Sequence, residues 1–106
     1  MINIAVCGAN GRMGQEVIKA VQAADDMTLV ARIDINNGQF ATIKDAKDSV
    51  DIDILVDFTQ PQSIYENALY CLNNNIIALC YKKYICGIYK YNLFSLFSPP
   101  LLYLTS

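Results

Sequence analysis

CGANGRMG, residues 7–14, follows directly on the apolar run INIAV and sets Gly8, Gly11 and Gly14 at intervals of three. A β-branched apolar run that stops at glycine suits a strand buried on both faces of a parallel sheet. Beyond the glycines, Met13, Val17, Ile18 and Val21, with Ala20 and Ala24 beside them, recur at helical spacing as far as Asp25 and Asp26. Strand, glycine loop and helix in that order gather unpaired backbone N–H groups and the positive end of a helix dipole at one spot above the sheet. Such a spot attracts an anion. Each glycine then has its own physical reason. Gly8 allows the sharp turn, Gly11 lets the backbone approach a phosphate group, and Gly14 lets the helix lie against the strand with no Cβ between them. The same three glycines also suit an ordinary strand-to-helix turn, so the flanking sequence has to decide between the two.

The spacing is GxxGxxG rather than GxGxxG, and Asn10 stands near the place of the middle glycine, where asparagine tolerates a positive φ better than most residues. MTLVARI, residues 27–33, has the composition of a second strand and runs into Asp34 and the turn residues Asn36, Asn37 and Gly38. Asp34 lies 20 positions beyond Gly14. An acid at about that offset accepts hydrogen bonds from the adenosine ribose hydroxyls in a dinucleotide-binding Rossmann unit. As a single residue it also suits a solvated turn. Arg12 falls in the first helical turn, where a cation opposes the dipole, so it suits a phosphate contact better than a stabilising role.

Further along, IDILVDF (52–58) is a third candidate strand, and QPQSIYENALYCL starts a helix near Pro61 with Ile64, Ala68, Leu69 and Leu72 on one face. Residues 73–75, three asparagines, stop it, and IIALC (76–80) is a fourth strand. Strands alternating with helices imply right-handed crossovers, hence an α/β fold with a Rossmann-like, doubly wound parallel sheet, here truncated.

At 106 residues the chain fits one domain. Its net charge of −2 offers no basic field for a nucleic acid, so none is expected as a partner. The four cysteines form no CxxC pair and there is no histidine, which leaves the usual zinc ligand sets out of reach and no metal site expected. The N-terminus lacks the basic start of a signal peptide, and a cytoplasmic location is expected. All ten acidic residues lie at or before Glu66, whereas five of the seven tyrosines follow Ile76. We therefore divide the chain into an incomplete dinucleotide-binding domain, 1–80, and an atypical apolar tail, 81–106. The longest uncharged stretch, 91–106, is broken by Pro99 and Pro100, too short and interrupted for a membrane span.

With GANGRMG, Asp34 and VDFTQP together, residues 1–76 resemble the N-terminal part of the dihydrodipicolinate reductase (4-hydroxy-tetrahydrodipicolinate reductase) family of lysine and diaminopimelate synthesis. The resemblance implies a Rossmann domain for NADH or NADPH. Gly8, Ala9, Asn10, Gly11, Arg12 and Met13 would surround the pyrophosphate beside Gly14, Asp34 would hold the ribose, and Phe58 and Thr59 would lie near the nicotinamide. In DFTQP, Thr59 also suits a helix cap ahead of Pro61. NADH is slightly favoured, because Asp34 repels a 2′-phosphate and Ile35 stands where an arginine would receive one. The family's glycine-threonine loop after the fourth strand is replaced by IALCYKKY, and its paired histidines have no counterpart. No catalytic residue is assigned. The implied function is the NAD(P)H-dependent reduction of 4-hydroxy-tetrahydrodipicolinate to tetrahydrodipicolinate, with this chain supplying cofactor binding. The small-molecule substrate belongs to a full-length family member. Two alternatives stand beside it: a non-catalytic nicotinamide-dinucleotide-binding fragment, and an interaction protein docking through its aromatic tail. The oligomeric state is not legible in the sequence.

Overall fold

The computed structural model describes residues 1–80, so the apolar tail proposed for 81–106 lies outside the described residues. Strand β1, Ile2–Cys7, is central. It pairs in parallel with β2, Met27–Ile33, on one side and with β3, Ile54–Asp57, on the other. Strand β4, Ile77–Cys80, extends the sheet beyond β3, giving the order β2-β1-β3-β4 with every pair parallel. The strand order reverses between β1 and β3, which is where a doubly wound sheet opens a crevice at the carboxyl ends of its strands.

Alternation along β1 divides the core between the two faces. Ile4 and Val6 pack with Ala9 and with Ile18 and Val21 of helix α1, Arg12–Ala23. Ala5 and Cys7 face the other way, into a cluster with Leu55, with Ile43 and Ala46 of α2, Ile43–Ser49, and with Ile64, Ala68 and Cys71 of α3, Pro61–Asn73. One helix thus covers one face and two cover the other, as right-handed crossovers require.

Several sequence expectations change in detail. Met13 belongs to the expected apolar stripe of α1, yet it is 41% exposed, and Ala20 is exposed too, because the stripe that meets the sheet is narrower than the apolar pattern. In α3 the buried series is Ile64, Ala68 and Cys71, while Leu69 is 38% exposed. The third strand is shorter than 52–58: Ile52 is buried but precedes the ladder. Helix α2 was not anticipated. Seven residues with only Ile43 and Ala46 apolar and buried carry little periodicity, and the cap identifies the helix better: Thr42 Oγ1 accepts from Asp45 N at 3.1 Å. The asparagine stop works through Asn75, whose φ of 58° allows Ile76 N to donate back to Cys71 O at 2.9 Å, a Schellman closure. No helix among the described residues is long and apolar enough to cross a membrane.

Candidate functional site

The glycine loop leaves β1 through Gly8, whose φ of +77° makes the turn. A Cβ there would lie 3.1 Å from the Phe58 carbonyl carbon, so glycine is also required by the close passage of the β3 exit. Gly8 N and Ala9 N both donate to Ile33 O, at 2.8 and 3.1 Å, and Gly11 N donates to Gly8 O at 3.2 Å. Asn10 N donates to Asp34 Oδ2 at 2.9 Å. The N–H groups of Gly8 to Gly11 are therefore all used within the protein. Helix α1 starts at Gly11 with no side-chain cap. Its first two residues, Arg12 and Met13, are exposed and have no hydrogen-bond partner for their N–H groups among the described residues. The donors left for an anion are thus at the helix start rather than in the loop.

The three glycines differ sharply in what a side chain would meet. At Gly14 a Cβ would stand 2.3 Å from Gly8 O and 3.0 Å from Ala9 backbone atoms, so helix and strand touch there. At Gly11 its nearest neighbour would be Gly8 O at 3.4 Å, an ordinary contact. Nothing inside the described protein requires Gly11 to lack a side chain. Asn10 has no positive φ, which corrects the expectation that it replaces a left-handed glycine. Instead it fastens the loop, with its Nδ2 donating to Asn36 O.

Asp34 sits just beyond β2. Besides the bond from Asn10 N, its Oδ1 accepts from Asn36 N at 2.9 Å. The turn behind it is closed by Gly38 N to Asp34 O at 3.1 Å, where a Cβ on residue 38 would come within 2.4 Å of Asp34 N. Each carboxylate oxygen retains a lone pair for a further donor.

On the other side of the crevice Asp57, 2% exposed, ends β3. Its Oδ1 accepts from Thr59 N at 2.9 Å and Thr59 Oγ1 at 2.6 Å, and its Oδ2 from Asn67 Nδ2 at 3.0 Å. Thr59 does not cap α3: the cap position is Gln60, without a side-chain bond, and Pro61 opens the helix. Burial pushes the Cys7 thiol up strongly, with Asp57 adding to the effect, so Cys7 is a neutral floor residue rather than a nucleophile.

These elements enclose a cleft of about 440 Å3. Gly8, Gly11, Asp34, Phe58 and Thr59 line it, as does exposed Ile35. Ala9 is buried in the α1 core, and Asn10, Arg12, Met13 and Gly14 stand outside the lining. The sequence left out Ser63 and Asn67 from α3 and Ala41, Thr42 and Ile43 from the α2 start, all on the wall. Asn67 carried a signal: it lies three positions from Ile64 on the face of α3 that meets the sheet, a polar residue in an apolar stripe.

Residues 2–80 match the family model described as Dihydrodipicolinate reductase, N-terminus. The chain belongs to that family. The match reaches through β4, slightly past the 1–76 of the sequence resemblance. The 4-hydroxy-tetrahydrodipicolinate reductase of Thermobifida fusca is 42% identical over 79 residues, covering 74% of this chain and 29% of that protein. The corresponding reductase of Cutibacterium acnes is 38% identical over 76 residues, covering 72% of this chain and 28% of the relative. The chain thus spans under a third of the length of these curated reductases. Among solved structures, dipicolinate-bound dihydrodipicolinate reductase from Paenisporosarcina sp. TG-14 aligns with a TM-score of 0.70 at 26% identity, over 76% of this chain and 37% of that one. Myo-inositol 2-dehydrogenase from Lactobacillus plantarum shares the fold, with a TM-score of 0.66 at 20% identity over 74% of this chain and 27% of that one.

Proposed function

We propose that this chain is a nicotinamide-dinucleotide-binding unit of the reductase family, and that it takes part in reducing 4-hydroxy-tetrahydrodipicolinate in lysine and diaminopimelate synthesis in the cytoplasm. The observation that carries the reading is Gly11: it is open to a side chain on its protein side and borders the cleft next to the unpartnered N–H groups of Arg12 and Met13. A pyrophosphate fits that combination of bare backbone and helix-start donors. Asp34 would accept from the adenosine ribose, and Phe58 and Thr59 would flank the nicotinamide end. The bound dinucleotide would supply the hydride, while these residues bind and orient it. NADH is preferred over NADPH, because Asp34 repels a 2′-phosphate and its neighbour Ile35, 82% exposed, offers no charge to receive one.

Calorimetric titration of the folded chain tests this. Binding of NADH, and weaker binding of NADPH, is expected. A folded sample that binds neither at millimolar concentration refutes it. A second reading, nucleotide binding without turnover, is favoured by the absence of histidine from the sequence. NADH oxidation that depends on the dihydrodipicolinate precursor would exclude that reading.

A further inference from the structure

Asp57 is the one buried charged side chain among the described residues, and no cation pairs with it there. Three neutral donors surround it: the N–H and the hydroxyl of Thr59 and the amide of Asn67. A carboxylate buried among neutral donors is costly, and an apolar residue at the end of a parallel strand would serve the core better. The arrangement fixes something other than packing, and the hydroxyl of Thr59 is what it fixes.

Proton counting shows how. Thr59 has one hydroxyl proton, and Oδ1 of Asp57 at 2.6 Å takes it. Asn67 Nδ2, which can only donate, stands 3.3 Å from the same hydroxyl oxygen and occupies one lone pair. The remaining capacity of Thr59 Oγ1 is as an acceptor, and Thr59 lines the cleft. Phosphate oxygens, which are acceptors, gain nothing from it. The donors of a nicotinamide nucleoside, its carboxamide N–H or ribose hydroxyls, do. With Asp34 at the β2 end of the cleft and the helix start between, the β3 end is where the nicotinamide half of a stretched dinucleotide falls.

We propose that Asp57 and Asn67 are positioning residues, which lock the Thr59 hydroxyl as a hydrogen-bond acceptor toward the nicotinamide half of the bound nucleotide. The proposal rests on the nucleotide-binding function above, and its test separates the two. The full chain and its variants are titrated with NADH and with ADP, which lacks both the nicotinamide and its ribose. Thr59→Val is expected to weaken NADH about fivefold and ADP less than about twofold, while Thr59→Ser keeps both within about twofold. Asp57→Asn should show the same selectivity, and adding Thr59→Val to it should cost nothing more, since both act through one hydroxyl. Asn67→Ala, a milder change, keeps the test available if Asp57→Asn fails to fold, with NADH weakened about twofold to threefold and ADP unchanged. Equal loss for both nucleotides marks a structural role and overturns the proposal. So does unchanged NADH affinity in Thr59→Val. If the unaltered chain binds neither nucleotide, the nucleotide function falls and the proposal with it. If it binds both and no variant discriminates, only the proposal falls.

Discussion

Gly14→Ala and Gly11→Ala should separate what the glycine loop does for the fold from what it does for the ligand. At residue 14 the new methyl meets Gly8 O at 2.3 Å and Ala9 backbone at 3.0 Å, and neither partner is a flexible side-chain end. Reaching an ordinary contact requires α1 to retreat by about 1 Å from β1, which loosens Ile18 and Val21 against Ile4 and Val6. Overpacking of this kind costs about 1–3 kcal/mol, and opposing backbone puts it at the upper end. Alanine returns about 1 kcal/mol in helix propensity. The net, about 2 kcal/mol, lowers the melting temperature of a domain this size by roughly 8–16 °C. At residue 11 the methyl meets nothing closer than 3.4 Å, so only the weaker N-cap changes, by less than about 1 kcal/mol. Melting should move by a few degrees at most, yet NADH affinity should fall about tenfold or more, because the methyl occupies the side a pyrophosphate approaches. Circular dichroism melts and calorimetric titration measure the two effects. A Gly14→Ala chain melting within about 3 °C of the unaltered one, or a Gly11→Ala chain with full NADH affinity, would refute the reasoning.

Ile35→Arg should raise NADPH affinity relative to NADH by about fivefold to tenfold, read in the same titrations, since a guanidinium beside the cleft can receive the 2′-phosphate. Asn75→Gly removes the left-handed strain at φ 58° while keeping the Schellman closure, and melts should rise by a few degrees. Burial, followed by the Asp57 charge, pushes the Cys71 thiol from 9.0 up to about 12. Above pH 9 the unfolded chain gives up a proton that the folded chain keeps, so stability is full below that value and declines as pH rises toward 12. Urea denaturation across this window should show the decline, and Cys71→Val should make it shallower, leaving the share contributed by Cys7, which burial also pushes up; a slope unchanged in the variant would show that Cys71 does not contribute.

The central strands and α1 were legible because burial on both faces leaves continuous apolar runs and because Gly8 and Gly14 mark the places where backbone must turn or touch. Helix α2 was not, because seven residues with two apolar positions carry almost no period, and only the Thr42 to Asp45 bond defines its start. The near wall of the cleft followed from the spacing of Gly8, Gly11 and Asp34. The far wall did not, since the bonds that join Asp57, Thr59 and Asn67 link a strand end to a helix residue ten positions on, and no local pattern encodes that closure. Thr59 was expected in the site on family resemblance, but the destination of its proton is a property of the folded chain.

The carboxylate of Asp34 also limits how this cleft can be altered. One oxygen holds Asn10 N and the other holds Asn36 N, so a residue that lines the cleft doubles as the clamp that shapes the glycine loop. Substituting it would release two backbone donors and relax the glycine loop and the turn after β2 together. On the proposed dinucleotide reading, selectivity and affinity are therefore coupled traits in this chain. On that reading a change of cofactor would begin at Ile35, which makes no such tie.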